Sequence, residues 1–264
     1  MTSAGLLVTA SIAPLLAEPM AGAEQVSQRL AGAELEVLEV RSLWFRVRGR
    51  DGYEGWVHAG YVRALAAREI ARRYSGPRIS LGCIARTAEG RRRALPLGAL
   101  LAGDETLESG EALTPEELRA RFTPEPAAVA GTALERFEGA PYQWGGITPW
   151  GADCSGMVQT VCGLHGLAMP RDAWQQAETG EATDATVEAL APGDLLFFSS
   201  REDRRVTHVA MAIGDARIVH SAIGRGGWAV ERLTNTDDPY VATLRARVTG
   251  ARRLTSPGRE PIRG

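Results

Sequence analysis

Between Gly139 and Leu164 the chain changes character at one point, and that change limits the folds open to it. Gly139-Ala140-Pro141-Tyr142-Gln143-Trp144-Gly145-Gly146 is dense in glycine, proline and aromatics, a composition that interrupts helix and strand alike and reads as an irregular loop. After it, apolar residues at 157, 158, 161, 162 and 164 follow a helical spacing that ends near Gly163 or Gly166. Asp153-Cys154-Ser155-Gly156 lies at the junction, so Cys154 is expected at a helix start. Unpaired backbone N–H groups and the positive end of the helix dipole there favour the thiolate, the nucleophilic form of cysteine.

Two histidines follow on a predicted hairpin. Val206–Ile213 and Arg217–Ala222 are β-prone runs separated by Gly214-Asp215-Ala216, a turn signal. A three-residue loop pairs Ala210 with His220 and Ala222 with His208, leaving the imidazoles as diagonal neighbours on one face. That geometry suits a triad in which His208 takes the proton of Cys154 and His220 fixes the tautomer of His208. One Cys and two His are also a zinc ligand set, but Cys154 has no CxxC companion, and no metal is expected. Cys83, in the strand-like run Ile79–Ile84, and Cys162, on the apolar side of the helix, read as core residues. His58 and His165 read as surface or loop residues. Pro192-Gly193-Asp194 is a turn leading into a buried strand, Leu195–Phe198, placed just before the hairpin.

The first half of the chain has a different rhythm. Val37–Val40, Trp44–Arg48 and Tyr53–Val57 are short strands punctuated by turns, with Asp51-Gly52 as a hairpin signal, and Leu6–Pro14 reads as the first strand of the same small barrel. Ile79–Ile84, Arg93–Leu101 and Glu105–Glu111 are candidate strands of a second, more divergent barrel. Arg91–Arg93 reads as a solvated turn, and Thr114–Arg119 as a capped helical turn. A formal net charge of -2 gives no basic footprint for nucleic acid or anionic wall polymers. Three cysteines without regular spacing give no disulfide framework and suit a reducing compartment. Met1–Ala17 lacks a basic leader region, Pro14 breaks its apolar stretch, and no run of about eighteen apolar residues exists for a membrane span. A cytoplasmic location is therefore expected, with export the alternative if a leader has been removed.

Taken in order, Pro141-Tyr142-Gln143-Trp144-Gly145-Gly146, Asp153-Cys154-Ser155-Gly156, Pro170-Arg171-Asp172, Pro192–Phe198 and the His208 and His220 strands resemble the NlpC family of papain-like cysteine peptidases. Gly52–Val57 resembles bacterial SH3-like domains, and Ala23–Gln28 is similar to the segment found where such a domain is fused to certain NlpC peptidases. The resemblance implies an α+β fold: SH3-like barrels at 1–65 and 66–125, the latter with a linker helix, and a papain-like catalytic domain at 126–254 with the Cys-bearing helix packed on an antiparallel sheet; 255–264, with Pro257, Gly258 and Pro261, reads as a flexible tail. It implies hydrolysis of the γ-D-glutamyl to L-diamino acid bond of murein peptides with a free N-terminal L-Ala, as in murein recycling. The catalytic roles fall to Cys154, His208 and His220, and the substrate-binding roles to Asp153, Ser155, Tyr142, Trp144, Glu24 and Tyr53. The oxyanion is expected on backbone N–H groups, that of Cys154 first. Asp153 is expected to accept the L-Ala ammonium, and Ala173 stands where related enzymes often have a Ser substrate contact. No cofactor, nucleic acid, membrane or obligate protein partner is implied. The alternatives are an exported hydrolase of intact peptidoglycan, a non-catalytic peptidoglycan-binding protein, and an acyltransferase on the same scaffold.

Overall fold

In a computed structural model that describes residues 5–255, the short apolar runs of the first half pair as antiparallel strands. Seven strands lie in the order Gln25–Leu30, Ile12–Leu16, Glu54–His58, Trp44–Arg48, Glu34–Arg41, Gly5–Val8 and Val62–Leu65. Alternate side chains meet inside: Leu6, Val8, Ala13, Leu15, Leu35, Val47 and Val57 form one core. The expected single strand Leu6–Pro14 is two strands. The backbone N–H groups of Thr9 and Ala10 both turn to the carbonyl of Tyr61, which breaks the ladder there. Nothing in the composition of Thr9-Ala10-Ser11 marks that break.

A second sheet follows, made of Arg78–Arg86, Arg92–Leu95, Leu100–Leu101 and Thr106–Leu113. The expected strand Arg93–Leu101 is divided by a turn that ends at Gly98, whose φ of +86° disfavours a side chain. Cys83 is buried with Ala31, Ala85, Leu95, Ala99 and Leu101. Arg93 is not a solvated turn residue: it pairs with the carboxylate of Glu105, itself buried, at 2.9 Å. Thr114 and Glu117 cap the helix Pro115–Arg121 reciprocally, Glu117 accepting from the Thr114 N–H and donating its own N–H to the Thr114 hydroxyl.

The chain divides into two compact units, 5–121 with 144–150, and 122–143 with 151–255. In the second unit six strands lie in the order Glu181–Thr183, Val248–Arg253, Leu195–Phe198, His208–Gly214, Arg217–Ala222 and Gly227–Arg232, all neighbours antiparallel. The helices Pro126–Phe137 and Cys154–Leu164 pack on this sheet. A core of Leu196, Phe198, Ala210, Ile218, Leu233, Leu244 and Ala251 joins the sheet to the helix Pro239–Ala246. The fold class is thus α+β, with SH3-like strands ahead of the helix-and-sheet unit. No helix among the described residues is long and apolar enough to cross a membrane. The tail expected beyond Thr255 lies outside the described residues.

Candidate active site

The helix carrying the cysteine begins where the sequence pattern puts it. Asp153 is its N-cap, with extended backbone and a carboxylate that accepts the N–H of Gly156 at 2.7 Å, and Cys154 is the first helical residue. The loop before it is pinned to the sheet at several points. Ser221 Oγ donates to the carbonyl of Ala152 at 2.7 Å, the N–H of Tyr142 donates to the carbonyl of Gly226, and that of Trp228 to the carbonyl of Ala140. Gly227 is required at this crossing, because a Cβ would lie 2.2 Å from the Ala140 oxygen.

Asp153 is not a free acceptor. Arg171, 2% exposed, grips it with two N–H donors, at 3.0 Å to Oδ1 and 2.6 Å to Oδ2, and donates a third bond to Ser155 Oγ at 2.9 Å. The Ser155 hydroxyl in turn donates to Asp153 Oδ1. Asp153 and Ser155, both expected to meet substrate, are bonded to a buried guanidinium that balances the carboxylate charge. Gln176, fully buried, completes the clamp by donating to the carbonyls of Ser155 and Pro170. Ala173 is buried at the first turn of its own short helix.

The hairpin puts the two imidazoles together. Met211 pairs with Val219 and Ala212 with Ile218, the register expected of the hairpin. The turn is shorter than expected: Gly214 pairs with Arg217 across Asp215 and Ala216, both at positive φ, and a bulge near Ile213 supplies the odd residue. His208 Nε2 lies 2.9 Å from His220 Nδ1. Two nitrogens facing each other at that distance share a proton; around a tetrahedral zinc they would stand about 3.3 Å apart and point at the metal. Among the described residues no group of three or more His, Cys, Asp or Glu side chains converges to hold a metal ion.

Cys154 and His208 line one cleft of about 410 Å³, with Tyr142, Phe198, Tyr240 and Leu244 among its other walls. The electrostatics of this cleft differ from the sequence expectation. Burial pushes the Cys154 thiol up to about 12, the Asp153 carboxylate adds to the rise, and hydrogen bonds from the backbone of Val209 and Ser155, with Arg171, only partly offset it. Burial, then the neighbouring His220, lowers His208 to about 3. Both shifts disfavour the charged forms, so the helix start does not by itself yield a thiolate. Burial likewise raises the Tyr142 phenol, which stays a hydrogen-bond donor.

The remaining residues singled out by sequence fall elsewhere. Trp144 belongs to the first unit, where its indole N–H donates to Glu24 at 2.7 Å and its carbonyl accepts from the Gln25 side chain. Tyr53 is in the same unit, its N–H bonded to Asp51. His58 caps a 3-10 turn and meets Trp44 edge to face. His165 is buried rather than on the surface, with Nε2 against Thr132 Oγ1 and Nδ1 against the carbonyl of Thr123. Cys162 is fully buried. Sequence reasoning assigned no role to Arg171, Gln176, Ser221, Arg225 or Glu231. Only Arg171 carried a signal, as the middle of Pro170-Arg171-Asp172.

A cysteine at a helix start, a histidine pair on the adjoining sheet and an SH3-like barrel ahead of them define a class, and comparison with known proteins identifies it. The chain belongs to the NlpC/P60 family of peptidases. Residues 139–246 match the NlpC/P60 family and 13–63 match the bacterial SH3 domain. A probable endopeptidase NlpC of Escherichia coli K12 is 34% identical over 110 residues, covering 40% of this chain and 70% of that protein. A gamma-D-glutamyl-L-lysine dipeptidyl-peptidase of Bacillus subtilis is 37% identical over 109 residues, 41% of this chain but only 36% of that protein. An NlpC/P60 family protein from Bacillus cereus shares the fold along the chain, with a TM-score of 0.75, 22% identity and coverage of 94% of this chain and 99% of that one.

Proposed function

We propose that the protein is a cysteine endopeptidase that cuts the γ-D-glutamyl to L-diamino acid bond of murein peptides bearing a free N-terminal L-Ala. The observation that carries this reading is the cleft shared by Cys154 and His208, with His208 locked to His220 at 2.9 Å. The substrate class is supported by the similarity to relatives named gamma-D-glutamyl-L-lysine dipeptidyl-peptidase, since a dipeptidyl-peptidase takes two residues from a free amino end.

Burial disfavours the charged form of both groups, and this sets the order of events. As the scissile carbonyl approaches sulfur, the thiol proton passes to His208, so thiolate and imidazolium arise together, never as a lone buried charge. The backbone N–H of Cys154 and the Tyr142 phenol are the proposed donors to the developing oxyanion. His208 then gives its proton to the leaving amine, leaving the γ-D-glutamyl group as a thioester on Cys154. A water that loses its proton to His208 cleaves the thioester and restores the thiol. We place this activity on soluble murein peptides inside the cell, where a free thiol stays reduced, with murein peptide as the sole partner required.

The test is incubation with L-Ala-γ-D-Glu-L-Lys, its N-acetylated analogue and intact sacculi, followed by mass spectrometry. Release of L-Ala-γ-D-Glu from the free-amine peptide alone supports the reading. Equal cleavage of the acetylated peptide or of sacculi overturns the recycling role.

A further inference from the structure

We infer that Glu231 is a positioning residue of the catalytic site: its carboxylate, held by Arg225, fixes the tautomer of His220 and, through it, leaves Nδ1 of His208 bare to receive the Cys154 proton. The inference rests on the cysteine-peptidase reading above for its catalytic consequence, but its structural half stands alone.

Glu231 lies on the strand Gly227–Arg232, next to the His220 strand. The register pairs His220 with Ala229 and Ile218 with Glu231, so the Glu231 side chain shares a face with His220, one diagonal step away. His220 is fully buried and Glu231 is 6% exposed. Glu231 Oε1 stands 3.7 Å from His220 Nε2, within ion-pair range and longer than a hydrogen bond, and that nitrogen has no closer polar partner among the described residues.

A buried carboxylate so far from water needs a reason to be there, and Arg225 supplies half of it. Its Nε reaches Oε1 at 2.6 Å and one terminal nitrogen reaches Oε2 at 3.0 Å, a bidentate grip that sets the plane of the carboxylate. The same guanidinium bonds Asp238 at 2.5 Å and lies over the Tyr240 ring, 4.3 Å from its centroid. Tyr240 in turn meets the edge of His220 with ring centroids 6.1 Å apart. Burial raises the Glu231 carboxyl, but His220 and Arg225 outweigh it and the net shift is downward, so the group is ionised at neutral pH.

The direction of every proton follows from that one charge. An ionised carboxylate only accepts, so the nitrogen facing it, His220 Nε2, carries the hydrogen. Where His220 is the neutral imidazole, with one N–H, its Nδ1 is an acceptor. The bond to His208 at 2.9 Å is then donated by His208 Nε2, and the remaining nitrogen of His208, Nδ1, holds a free lone pair. Without the carboxylate either imidazole is equally at ease in the other tautomer, in which His208 Nε2 accepts and Nδ1 is already protonated and useless as a base.

The test joins a spectroscopic and a kinetic readout on the full chain. Imidazole 15N shifts of the wild type at neutral pH are expected to show His220 protonated at Nε2 and bare at Nδ1. Glu231→Leu is expected to mix the tautomers and lower kcat on L-Ala-γ-D-Glu-L-Lys about 10- to 100-fold, with KM changed less than about threefold, as for other residues that act by orienting a ligand imidazole. Glu231→Gln keeps an acceptor and is expected to restore the wild-type tautomer and much of kcat. A wild-type His220 protonated at Nδ1 overturns the inference, and decides the matter even if Glu231→Leu fails to fold. So does a folded Glu231→Leu with unchanged tautomer and kcat. If the tautomers behave as stated while the wild type cleaves no murein peptide, the positioning chain stands and the assigned function falls.

Discussion

Replacing Asp153 by Asn removes one charge and almost nothing else, which makes its cost readable. The amide keeps an oxygen for the Gly156 N–H, so the cap survives. Arg171, 2% exposed, loses the charged partner of two bonds of 3.0 and 2.6 Å. Breaking a buried pair by removing one partner costs about 3–5 kcal/mol, most of it the penalty of the stranded charge. At about 4 °C per kcal/mol, where the ranges for smaller and larger domains meet, the transition of the second unit should fall by about 12–20 °C. Calorimetry on the full chain measures it. In the double variant Asp153→Asn with Arg171→Met no charge is stranded, so most of the loss should return. A drop below about 1 kcal/mol, or a double variant no more stable than the single one, would refute the claim that Asp153 is a buried counter-ion to Arg171.

Other expectations follow from the same geometry. Because His208 is lowered to about 3 and must be neutral to accept the thiol proton, kcat/KM should stay level down to about pH 5; an acid limb at the ordinary histidine position of about 6.5 would contradict this. The sign for stability is the same: below about 6.5 the unfolded chain takes up a proton that folded His208 refuses, so this contribution is complete above that pH and declines as pH falls toward 3. Tyr142→Phe, which keeps the ring in the cleft wall and removes its donor, should lower kcat about tenfold or more with the melting temperature unchanged; unaltered kcat would remove Tyr142 from the oxyanion role. The thiol, raised to about 12, should alkylate slowly with iodoacetamide at pH 7 and faster with each step in pH, whereas a fast, pH-independent rate would reveal a resting thiolate.

What could be read from the sequence was what local pattern encodes. The helix start at Cys154, the capping of Thr114 by Glu117 and the register that pairs Met211 with Val219 all follow from periodicity and turn residues within a dozen positions of one another. The contacts that decide the chemistry of the site are longer. Arg171 meets Asp153 across 18 residues, and Ser221 meets Ala152 across 69, with no pattern linking the partners. The raised thiol is a consequence of burial, which belongs to the folded chain and not to the neighbours of Cys154 in sequence. The surface reading of His165 fails for the same reason: Thr123, Thr132 and Phe122, all distant in sequence, meet its ring in the folded chain.

In the proposed reaction the sulfur of Cys154 carries the acyl group, and that intermediate can be trapped. Rapid acid quench of the wild type with L-Ala-γ-D-Glu-L-Lys, followed by peptide mapping, should find an L-Ala-γ-D-Glu thioester on Cys154, absent from Cys154→Ala and formed far more slowly in His208→Ala. Turnover by Cys154→Ala at the wild-type rate, or an acyl group on any other residue, would contradict it.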